Sequence, residues 1–110
     1  MPEIFERYNE AEQLKDQGKT DEAVAILEDI LKQDSQHVLS HLTLARIFTQ
    51  TGRHADAIIH GQKACEIEPT DAFNFTALSV TYQKAWAGTG DKQFIAMAED
   101  AMAHARSLER

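Results

Sequence analysis

Cysteine is almost missing from this chain of 110 residues: Cys65 stands alone, so no intrachain disulfide can form. A solitary cysteine of this kind reads as a small buried apolar side chain rather than a reactive thiol. Cations are scarce. Eleven Lys and Arg face eighteen Asp and Glu, for a net charge of −7 and a pI near 5.1. That shortage excludes a reader of the phosphate backbone, which needs a basic stripe, and docking on an anionic membrane. No apolar run approaches the length of a membrane span, and no Lys/Arg cluster introduces an apolar leader. A cytoplasmic protein that binds neither nucleic acid nor membrane is the expectation. The length suits a single domain over residues 1–110.

Catalytic patterns are equally short. His37 and His41 are four apart, a spacing that can hold a metal, yet no Glu, Cys or third His stands at a matching offset. They read as two solvated histidines at a helix end. His60 and Cys65 are five apart and so face different sides of a helix, which is the wrong geometry for a dyad. The acidic residues from Glu10 to Asp29 lie on polar faces and read as solvated surface. Gly88-Thr89-Gly90 lacks the Lys-Ser/Thr of a phosphate loop. We expect no enzyme, no metal and no cofactor.

What the chain does have is helical periodicity. Ile4, Phe5, Tyr8, Ala11 and Leu14 keep spacings of three and four, with Pro2 suited to the first turn and Gly18 to the end. Thr20 reads as the N-cap of a second helix with the apolar face Ala23, Val24, Leu27, Ile30 and Leu31. A third helix, about 38–51, is apolar on more than one side, so it is either central or a binding surface. A fourth runs from about Ala55 to Ile67, before Pro69. Thr70 or Asp71 caps a fifth, from Ala72 to about Ala85, the most aromatic stretch of the chain. A flexible loop at 87–90 leads to a sixth, from a cap at Asp91 to Leu108. Trp86, at the end of the fifth helix, is expected to pack rather than stand in solvent.

The helices repeat. A shift of 34 residues takes Ala11 to Ala45, Leu14 to Phe48, Gly18 to Gly52 and Ala23 to Ala57. A second such shift takes Leu44 to Leu78, Ala45 to Ser79 and Phe48 to Tyr82. With Ala64 and Pro69 in the middle unit, this pattern resembles the tetratricopeptide repeat, a helix–turn–helix unit. The resemblance spans essentially the whole chain, in units of about 4–37, 38–71 and 72–108. Ser35 replaces the first proline, and in the third unit the second helix falls 41 residues after its counterpart, Ala57 to Ala98. An internal loop near 87–92 would absorb the extra residues. The resemblance implies an all-α solenoid: a right-handed superhelical stack of three antiparallel helix pairs. Small residues at Ala11, Ala45 and Ser79, matched by Ala23, Ala57 and Ala98, would sit where helices approach closely. Gly61 stands where similar repeats place a large apolar side chain. It either admits a bulky neighbour such as Phe75 or Trp86, or leaves a pocket floor open.

The resemblance also implies a non-catalytic interaction module, an adaptor or scaffold that holds a peptide or protein surface in a concave groove. The groove would present Phe5, Tyr8, Leu39, Leu42, Phe73, Val80 and Lys84 around Arg46. The partner expected there is an apolar segment with an acidic group. Some members clamp chaperone C-termini with Lys, Asn and Arg at places that here carry Tyr8, Glu12, Thr43, Phe73 and Ala77, so no such clamp is expected. Arg46 could instead be occupied by Glu12 across two helices. The alternative function is a homo-oligomer building block whose groove or last helix is filled by another copy.

Overall fold

The computed structural model describes residues 3–110, so Pro2 lies outside the described residues. These form six helices and no strand: α1 (Ile4–Asp16), α2 (Thr20–Gln33), α3 (Val38–Gln50), α4 (His54–Ile67), α5 (Ala72–Thr89) and α6 (Gln93–Leu108). The helices pack as consecutive pairs, α1 on α2, α3 on α4 and α5 on α6, and neighbouring pairs meet through α2–α3 and α4–α5. The result is an all-α solenoid. No described helix is long and apolar enough to cross a membrane.

The 34-residue repeat has a direct backbone counterpart. Gly18 and Gly52 both adopt φ +80°, a left-handed conformation that residues with a Cβ resist. Each lets the chain fold back on the helix it ends. The amide of Lys19 donates to the carbonyl of Leu14 at 2.8 Å, and Arg53 does the same to Phe48 at 2.8 Å. At the helix starts the side chains differ. His37 caps α3 by accepting from the Ser40 amide, and Asp71, not Thr70, caps α5 by accepting from the Phe73 amide. Thr20 is the first residue of α2 and not its cap; Lys19 holds that position and offers no side-chain bond. Asp91 lies two residues ahead of α6, yet its carboxylate still accepts from the Gln93 amide at 3.1 Å.

The third pair departs most from expectation. The stretch 87–89 is helix, not loop, and only residues 90–92 connect α5 to α6. The extra residues lengthen α5, because Gly88 sits under the His54 ring of α4 where a side chain would collide. The added turn is thus anchored on the preceding pair. Trp86 does not pack as expected and keeps 45% of its surface exposed. It lies on the outer side of α5, beside α6, where no further described helix covers it.

Two apolar clusters form the core. Ala11, Ala23, Leu27, Ile30, Leu44, Ile47, Phe48 and Ala57 hold the first two pairs together. Cys65, Leu78, Tyr82, Ala98 and Ala101 hold α4, α5 and α6. Helix α3 is central, with seven of its residues buried, and yet Leu39 and Arg46 face outward. The small residues are buried in the expected places, and the Ser79 hydroxyl donates to the Ala98 carbonyl at 2.9 Å across the α5–α6 contact.

Candidate interaction groove

Leu42, Arg46 and Thr49 follow one another at helical spacing along α3, as do Phe73, Ala77, Val80 and Lys84 along α5. The two stripes line one cleft of about 450 Å³. Gly61 of α4 forms part of its wall, so its two readings are not exclusive. A Cβ on Gly61 would stand 3.0 Å from the Leu78 side chain. The missing side chain therefore admits Leu78, in place of Phe75 or Trp86, and also leaves the cleft open.

The cleft is apolar with two cations. Phe73 and Val80 are large exposed hydrophobics, and Leu42 is half-buried beside them. Arg46 and Lys84 stand on its two sides and have no ion-pair partner among the described residues. The pairing of Arg46 with Glu12 does not form. Glu12 instead holds Lys15 at 3.1 Å and accepts from the hydroxyls of Tyr8 at 2.8 Å and Thr43 at 3.1 Å. Burial pushes the Glu12 carboxyl up, but these hydrogen bonds and the Lys15 charge outweigh it and hold the group below its ordinary value. Burial pushes the Tyr8 phenol up.

Five of the eight groove residues expected from sequence, Leu42, Arg46, Phe73, Val80 and Lys84, meet in this cleft. Leu39 joins a second, shallower cleft of about 430 Å³, which shares Leu42 and Phe73 with the first. Tyr8 and Phe5 line neither. Tyr8 is tied into the cluster with Glu12 and Thr43, and Phe5 stands 71% exposed on α1. Ala45, Thr49 and Thr81 line the cleft without having been expected there. The spacing of Thr49 from Leu42 and Arg46 was the available signal.

The histidines also need correction. His41 is not solvated: it is 6% exposed, with its Nδ1 2.9 Å from Nδ1 of His60 and its Nε2 3.0 Å from the Ser35 carbonyl. Its neighbours Leu44, Ala45 and Phe48 are buried too, and α4 closes over them. Among the described residues no group of three or more His, Cys, Asp or Glu could hold a metal ion.

A family model described as tetratricopeptide repeat matches residues 8–72. The chain belongs to the tetratricopeptide repeat family. No curated protein matches it. The family match runs from α1 to the first residue of α5, so the matched repeats supply one wall of the cleft and its floor. The other wall, α5, comes from the unmatched pair. Tetratricopeptide repeats generally mediate protein–protein interaction and bind proteins or peptides. Of the places at which some members clamp a terminal carboxylate, Tyr8, Glu12 and Thr43 here satisfy one another's hydrogen bonds.

Proposed function

We propose that this chain is a single-domain, non-catalytic adaptor that holds an apolar protein segment bearing an acidic group. The segment would lie in the cleft between α3 and α5. One observation carries the reading: two cations without ion-pair partners, Arg46 and Lys84, flank exposed Phe73 and Val80 in a protein of charge −7. Clustered exposed apolar residues mark interaction sites, and aromatic residues together with Arg are what binding hot spots favour. A partner carboxylate between the two cations would fix the register, while Leu42, Phe73 and Val80 supply apolar contact. The Tyr8–Glu12–Thr43 cluster is acidic and internally satisfied, so it would turn away a terminal carboxylate.

Selection from a random peptide display library tests this. The parent should enrich apolar peptides carrying Asp or Glu. The Arg46→Glu, Lys84→Glu variant should lose that acidic preference while keeping its helical content. Equal enrichment by parent and variant, or no enrichment by the parent, would sink the reading.

A further inference from the structure

A second cleft, of about 730 Å³, lies on the outer face of the third pair, away from the groove. Its walls are Gln83 and Trp86 of α5 and the stripe Ile95, Glu99, Met102 and Arg106 of α6. The chain itself shows what such a stripe does when covered. The offset that takes Ala57 to Ala98 relates Glu99, Met102 and Arg106 to Ile58, Gly61 and Cys65 of α4. There α5 lies on top: Cys65 is buried with Leu78, Ile58 packs on the same cluster, and Gly61 touches the Leu78 side chain. The equivalent face of α6 has no covering helix among the described residues, and it is shaped for one.

The charges say which helix fits. Two of the three equivalent places on α6 carry Glu99 and Arg106, and neither has an ion-pair partner among the described residues. They are seven residues apart, two helical turns along one face. A complementary helix must offer a cation and an anion with the same spacing in the opposite order. An antiparallel copy of α6 does so. A twofold axis passing between Met102 and Ala103 sets each Glu99 against Arg106 of the other copy, with small, exposed Ala103 allowing close approach. The half-exposed Trp86 at the rim would then be covered.

We propose that the outer α5–α6 face binds a second copy of this chain through antiparallel α6–α6 packing, forming a four-helix interface with two reciprocal Glu99–Arg106 pairs. This surface is separate from the α3–α5 groove, so dimerisation leaves the groove open. The two readings therefore fail independently.

Sedimentation velocity over a concentration series, followed in parallel by Trp86 fluorescence, tests it, since Trp86 is the only tryptophan. The parent should dimerise as concentration rises, with its emission moving to shorter wavelength. Glu99→Arg and Arg106→Glu should each weaken the dimer by about tenfold or more through like-charge contacts. An equimolar mixture of the two variants should dimerise again, because each places the charge the other needs. Ala103→Glu, at an exposed site that folding does not use, should also prevent dimerisation. A parent that stays monomeric into the hundreds of micromolar would overturn the proposal. So would single variants that associate as well as the parent, or a mixture no better than its components.

Discussion

His41 and His60 face each other across the α3–α4 contact, Nδ1 to Nδ1, at 2.9 Å. The arrangement assigns its own protons. The Ser35 carbonyl can only accept, so Nε2 of His41 carries hydrogen, and in the neutral ring its Nδ1 must accept. Nδ1 of His60 is therefore the donor. Two fully protonated rings would place hydrogen against hydrogen.

Burial lowers both histidines, His41 against an ordinary value of 6.5 and with Lys63 and His37 adding repulsion, His60 with further repulsion from His41. The unfolded chain then binds more protons than the folded one just below that value, so stability rises with pH there. It should be complete above about pH 6.5 and fall as the pH drops through the folded values. Thermal unfolding between neutral pH and mild acid checks this. His60→Gln should flatten the slope in that window, whereas the depressed Glu12 acts only at lower pH, below its ordinary 4.5.

Gly88→Ala should destabilise the protein although it improves helix propensity. The new methyl collides with the His54 ring, and overpacking costs about 1–3 kcal/mol against about 1 kcal/mol gained. Chemical denaturation of the parent and variant reads the difference. A stabilised variant would show that α5 is not anchored on α4 at this point.

Ala57→Leu should cost about 1–3 kcal/mol, since Ala57 is fully buried between the first two pairs. Denaturant midpoints provide the check. An unchanged midpoint would mean the close contact is elsewhere.

Cys65 should resist thiol reagents at pH 8 in the folded protein and react readily once unfolded. Burial, with a smaller contribution from Glu66, pushes its thiol up to about 11, so little thiolate exists at that pH. Timed reaction with a chromogenic disulfide, with and without denaturant, measures this.

The helices and their pairing were legible in the sequence because local chemistry encodes them. Gly18 and Gly52 mark the turns, apolar residues recur every three or four, and Ala23 and Ala57 repeat in register. Along α3 and α5 the same periodicity identified Leu42, Arg46, Phe73, Val80 and Lys84 as neighbours on a face. Other outcomes depended on residues distant in sequence, which no local pattern can report. Gly88 looked like a loop residue until His54, from another helix, occupied the space above it. His41 looked solvated until α4 brought His60 to it. Tyr8 left the groove because Thr43, 35 residues away, completes its hydrogen bonds. Trp86 lost its expected burial because α6 lies beside its face rather than over it. A sequence determines which faces are apolar and where helices stop; which polar groups meet, and which faces remain uncovered, is decided only when the pairs stack.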